Sequence, residues 1–267
     1  MRCDVTIKNR VSGEFAQMIT CQLDTEQTVY SDANHYRWKT ANVSIETRLT
    51  TPGNQPEEQK KSGGFLAGAL SAATEVAKRA LTGQSLAFQW FRAVGGSGLI
   101  SFCGDEPGQI RVIELDGSVN WLAERHAFIC AENGVSFDIA YNGLAQGHRS
   151  GEGVFLEKFS GSGTLVLAGG GSIVEVNPSD YGGKIQVHAG AVVAFAESVQ
   201  YGVEMIGSLN AQTLMTVAFG GQGLSVISFS GDGPVLLQAT LHRTMERDEK
   251  MQNQEQHARG GGLLDRF

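Results

Sequence analysis

Apolar and polar residues alternate in short runs along most of the chain. Phe155, Glu157 and Phe159 fall on one face of an extended segment, and Val154, Leu156 and Lys158 fall on the other. This is the two-residue period of a strand. Similar short runs follow at residues 164–168 and 173–176, and glycine or small polar residues bound each of them. The pattern predicts many short strands joined by tight turns, an all-β chain.

The runs are copies of one another. Residues 151–163 match residues 221–233 at an offset of 70 (221 − 151), and both copies carry an aromatic-Ser-Gly-x-Gly stretch. A looser copy begins at residues 83–91 and reaches Gly96, Ser97 and Gly98 after a short insertion. A second motif, residues 43–46, matches residues 135–138 and, more weakly, residues 203–205. Ala131 and Glu132 match Ala196 and Glu197 at an offset of 65 (196 − 131). Two motifs in one order predict a single β domain over residues 1–241, built from three repeats of about 1–98, 99–163 and 164–241. Each Gly-x-Gly is predicted to turn a hairpin, because glycine tolerates the positive φ angles of such turns. The Gly169, Gly170, Gly171 triplet is read as a turn and not a phosphate cradle, since a strand pattern and not a helix follows it.

Two segments break the alternation. Residues 51–64 hold two of the five prolines and read as a loop. From Phe65 the apolar positions Leu66, Ala69, Leu70, Ala73, Val76, Ala77, Ala80 and Leu81 follow helical spacing. The segment 51–83 is thus predicted as a loop and amphipathic helix inserted in the first repeat, covering an open edge of the β body. Leu66 and Leu70 are its candidate contact residues. Residues 242–267 are highly charged and read as a solvated tail, with Leu263 and Phe267 as candidate anchors.

Composition narrows the chemistry. Thirty-five glycines among 267 residues serve turns and bends, since no collagen-like period accompanies them. A net charge of −7 with scattered basic residues argues against nucleic acid as a partner. Cys3, Cys21, Cys103 and Cys130 are far apart and form no CxxC, so they are expected to be reduced thiols packed in or near the core. No stretch resembles a signal peptide or a membrane span, and a cytoplasmic location is expected.

Catalytic signatures are missing from the sequence. None of the six histidines lies two residues from another, so no metal site is expected. No serine has glycine both two before and two after it. The paired acids at 57–58, 105–106 and 248–249 read as solvated charge. Glu152 and Glu197 stand out because they sit beside the repeat turns in apolar company. Trp38, Trp90 and Trp121 read as core or interface residues. No catalytic residue and no cofactor is expected.

The stretches LTGQSLAFQWF (81–91), GAVVAFAESVQYGVEM (190–205) and GQGLSVISFSGDGPVLLQAT (221–240) carry a resemblance to the family named for altered inheritance of mitochondria. The resemblance runs over about residues 1–243. It implies a β-sandwich or barrel like that of the tryptophan-RNA-binding attenuator, with internal pseudo-threefold symmetry, frequent oligomerisation and no established catalytic activity. The family carries Glu at the places of Gln84 and Gln222, an aromatic at Ala87 and a Gly-His pair at 190–191, so activity resting on those groups is not implied here. The expectation is a non-catalytic scaffold or protein-interaction module that associates with itself and with other proteins. The alternatives are a small-molecule site between repeats, with Glu152 and Glu197 as its polar groups, and peripheral membrane contact through residues 65–82.

Overall fold

The computed structural model describes residues 7–48, 87–140, 156–205 and 225–240. Residues 141–155, and with them Glu152, lie outside the described residues. So do the segment 51–83 predicted as a loop and helix, with Leu66 and Leu70, and residues 242–267, with Leu263 and Phe267. Among the described residues eighteen strands form, and every ladder between them is antiparallel.

The ladders group the strands into three units. The first holds β1 (Lys8–Ser12), β2 (Met18–Leu23), β3 (Thr28–Asp32), β4 (Tyr36–Lys39), β5 (Val43–Arg48), β6 (Phe88–Ala93) and β7 (Gly98–Cys103). The second holds β8 (Gly108–Asp116), β9 (Trp121–Glu124), β10 (Phe128–Glu132), β11 (Val135–Ala140) and β12 (Leu156–Gly170). The third holds β13 (Ile173–Val176), β14 (Lys184–His188), β15 (Val192–Ala196), β16 (Gln200–Met205), β17 (Ser225–Ser230) and β18 (Val235–Gln238).

One wiring scheme serves all three. β6 lies between β3 and β5, and β7 lies between β2 and β4. In the third unit β17 lies between β14 and β16, and β18 between β13 and β15. In the second unit β12 does both tasks. Its first half pairs with β9 and β11, and its second half pairs with β8 and β10.

This wiring corrects the hairpin expectation. The residues on either side of Gly161 and Gly163 do not pair with each other; they belong to one strand that bends from one small sheet into the next. Positive φ at Gly161 (98°) and Gly163 (133°) supplies the bend. Beside each corner a fully buried phenylalanine closes the inner sheet: Phe91, Phe159 and Phe229. They stand opposite Ile45, Phe137 and Tyr201. Phe159 stacks on Phe128 at 5.1 Å and Phe229 meets Phe195 at 4.9 Å. Truncating such a ring costs about 3–5 kcal/mol.

The same register corrects two motif alignments. Ile45, Phe137 and Tyr201 are equivalent, so Val43 and Val135 correspond to Val199, and not to Val203. Ala131 corresponds to Phe195, because each stands opposite the second residue after its corner glycine, Leu165 and Val235. Glu132 therefore aligns with Ala196 and with Thr40. The triplet 169–171 is no free turn: Gly169 and Gly170 end β12, opposite Gln109 and Gly108, and only Gly171, at φ 66°, and Ser172 link it to β13.

Candidate interaction site at the third seam

The units join edge to edge, and the joins differ. At the first seam β10 pairs with β3, and at the second β15 pairs with β9. The same scheme would put β4 against β14 at a third seam. Among the described residues no ladder forms there: β4 pairs with β7 and β14 with β17, each on one side.

A bulge recurs in all three seam strands. It lies between Tyr36 and Trp38 in β4, between Phe128 and Cys130 in β10, and between Val192 and Ala194 in β15. The bulged residues are Arg37, Ile129 and Val193. β10 and β15 are buried at every position, as strands paired on both edges and covered on both faces must be. β4 reads Tyr-Arg-Trp-Lys; Arg37 and Trp38 are exposed, and Trp38 keeps 42% of its surface in water. Its counterpart positions hold Cys130 and Ala194, at 1% and 0%. β14 has exposed Lys184, Gln186 and His188.

Side chains repeat the distinction. Gln27, just before β3, donates its amide to Glu132 Oε1 at 2.9 Å. Asn120, just before β9, donates to Glu197 Oε2 at 2.7 Å. Gly183, the counterpart of Gln27, has no side chain to give, and Thr40, the counterpart of Glu132, bonds within its own unit: its hydroxyl accepts the Leu99 amide at 3.0 Å. Glu132 also accepts the Thr164 amide at 2.7 Å and so pins its corner as well as its seam.

β4 and β14 carry Arg37, Lys39 and Lys184 and no carboxylate. The Arg37 guanidinium donates to the carbonyls of Asn34 and Tyr36. No carboxylate of the described residues pairs with Arg37 or Lys39.

Glu197 lies at the second seam, where Lys158 Nζ reaches its Oε1 at 2.6 Å. The Lys158 bond, then the Asn120 bond, hold its carboxyl below the usual range. The predicted pairing of Glu197 with Glu152 in one site lies outside the described residues.

Among the described residues a small cleft of about 20 Å³ lies where the turns of the units meet. Glu124, His126, Asp105, Glu106, Gly170 and Gln238 line it. Burial pushes Glu124 up to about 7; the His126 amide at 2.8 Å and the charge of Arg125 act against the shift, and Glu106 adds to it. The room suits about one water, not an organic ligand. The acids 105–106, read from sequence as solvated charge, thus border a buried carboxyl. Nearby His35 is buried and held below its usual pKa by that burial, partly offset by Asp105 at 3.7 Å. Among the described residues no three His, Cys, Asp or Glu converge on a metal position. Cys21, Cys103 and Cys130 are free thiols; Cys21 and Cys130 are buried, and burial raises the Cys130 thiol well above its ordinary value. Trp90 is buried and Trp121 half-buried, whereas Trp38 is neither core nor covered.

Sequence reasoning passed over Arg37 and Lys39. The signal was present: shifted by 92 residues (129 − 37), the triplet Arg37, Trp38, Lys39 stands where Ile129, Cys130, Ala131 stand.

The family model described as mitochondrial biogenesis AIM24 matches residues 9–240. No curated protein matches the chain. Among solved structures, the crystal structure of protein SPYM3_0169 from Streptococcus pyogenes is similar in fold. It has 19% sequence identity and a TM-score of 0.66, and the match covers 93% of this chain and 99% of that one. Among the described residues no helix is long and apolar enough to cross a membrane.

Proposed function

The chain belongs to the mitochondrial-biogenesis AIM24 family, and from that premise we propose that it is a non-catalytic protein-interaction module that works by offering strand edges to other polypeptides, copies of itself among them. The observation that carries this reading is the third seam, where β4, whose counterparts β10 and β15 are buried and paired on both edges, forms a ladder on one edge alone among the described residues. Soluble β proteins cover, bend or charge such edges unless they are used. The free thiols fit a reducing compartment, in keeping with a cytoplasmic place of work. A small-molecule site between units finds less support, because the cleft around Glu124 holds about one water.

The test is light scattering of the full chain over a range of concentrations, together with cross-linking of the captured complexes. The reading expects a defined oligomer, or a partner cross-linked beside β4 or β14. A strict monomer that captures nothing overturns it.

A further inference from the structure

The partner class follows from what the third seam has in place of a buried ladder. In the closed seams the positions of Arg37, Trp38 and Lys39 are taken by Ile129, Cys130 and Ala131, and by Val193, Ala194 and Phe195, all buried. Here they are a guanidinium, an indole and an ammonium. On the register of the closed seams β14 would set Gln186 opposite Lys39 and Val187 opposite Trp38, so it offers these cations no carboxylate. The β14 of a second copy offers none either. An acidic strand does: it gains the backbone bonds of a ladder, carboxylates opposite Arg37 and Lys39, and the indole of Trp38 as an apolar flank.

We propose that the open edge of β4, with Arg37, Trp38 and Lys39, binds an extended acidic polypeptide segment that adds to the sheet as a strand. This rests on the interaction-module reading above and names the partner chemistry of that same seam. The chain as a whole has a net charge of −7, so this cationic edge is local and its attraction is short-ranged and salt-sensitive.

The experiment uses the full chain and three labelled peptides: alternating Thr and Glu, alternating Thr and Lys, and the Glu peptide with proline at its centre. Fluorescence anisotropy reads binding, and hydrogen exchange reads the amides of residues 36–39. The Thr-Glu peptide is expected to bind at least about tenfold more tightly than either other peptide, with slower exchange in β4. Arg37→Glu with Lys39→Glu should abolish the preference. Lys39→Gln, a milder change that leaves the Arg37 carbonyl bonds in place, should weaken binding severalfold. Equal binding of the Glu and Lys peptides, equal binding of the proline peptide, or protection that falls outside β4 overturns the proposal. So does a β4-dependent dimer with no peptide binding, which would instead assign the edge to a second copy. In that last case, and if a partner cross-links beside β14 alone, the interaction-module reading survives while this one fails.

Discussion

Gln27 and Glu132 join the first two units side chain to side chain, 2.9 Å apart, and the same carboxylate holds the Thr164 amide immediately after the corner glycine. One buried acid thereby fixes both the bend of β12 and its unit's contact with the next. Replacing Glu132 with Ala leaves a buried amide without its acceptor, and a loss of about 2–4 kcal/mol is expected. Gln27→Ala removes this bond and the one that Gln27 Oε1 accepts from the Asp24 amide, both partly exposed, and should cost about 1–2 kcal/mol. Urea unfolding of the two variants and their double mutant checks the order and the coupling.

Glu197 and Lys158 form the analogous link at the second seam, but in water. Both side chains are about a third exposed or more, so the pair is worth about 0–1 kcal/mol. The folded-state carboxyl is depressed. Its contribution is therefore full above the unfolded carboxyl range and is lost as pH falls through the folded value. Glu197→Gln should be slightly less stable than the native chain at pH 7 and indistinguishable from it once the carboxyl is protonated in both states. Unfolding at pH 7 and in acid compares them.

Glu124 runs the other way. Its folded pKa of about 7 lies above the ordinary carboxyl value, so between pH 4.5 and 7 the folded state holds a proton that the unfolded state has released. Stability falls as pH rises across that window. Glu124→Gln keeps an acceptor for the His126 amide and carries no charge. It should stabilise the chain by about 2–3 kcal/mol at pH 8 and by little at pH 4.5. A variant no more stable than the native chain at pH 8 would show that the site is wetter than its burial implies.

Much of this architecture was legible from residues alone. Alternation marked the strands, and the Gly-x-Gly corners marked the repeat, because a bend needs glycine whatever it connects. The corners themselves misled: Gly161, Ser162 and Gly163 suit a hairpin equally well, and only the partners β8, β9, β10 and β11, distant in sequence, make them a bend. The Ala-Glu identity at 131–132 and 196–197 drew the third copy one residue out of register, which the ladders correct through Val135 and Val199. The open seam was written in Arg37 and Lys39. It could be read only after the bulge register showed which apolar residues they replace.

Close backbone approach sets another expectation. A Cβ on Gly108 would lie 1.9 Å from the Gly169 carbonyl oxygen, at the start of the long β8–β12 ladder. Backbone cannot yield there as a flexible side chain does. Gly108→Ala should cost about 3 kcal/mol or more. Gly95, at φ +72° with nothing near its Cβ position, should cost about 1 kcal/mol on the same change. Thermal melts of the pair separate contact from backbone strain.

The seams can be tested against one another by exchanging their bulge residues. Ile129 is fully buried, so Ile129→Arg places an unpaired guanidinium in the core between two ladders. A loss above about 4 kcal/mol, or failure to fold, is expected. Arg37→Ile removes only a side chain that lies in water and bonds two local carbonyls, and should change stability by no more than about 0.5–1 kcal/mol. If the third seam closed in solution as the others do, Ile at position 37 would be buried against β14 and would stabilise the chain by about 1.5–3 kcal/mol. Equilibrium unfolding of Arg37→Ile thus decides between an open and a closed seam. Only the open result leaves β4 available to another chain.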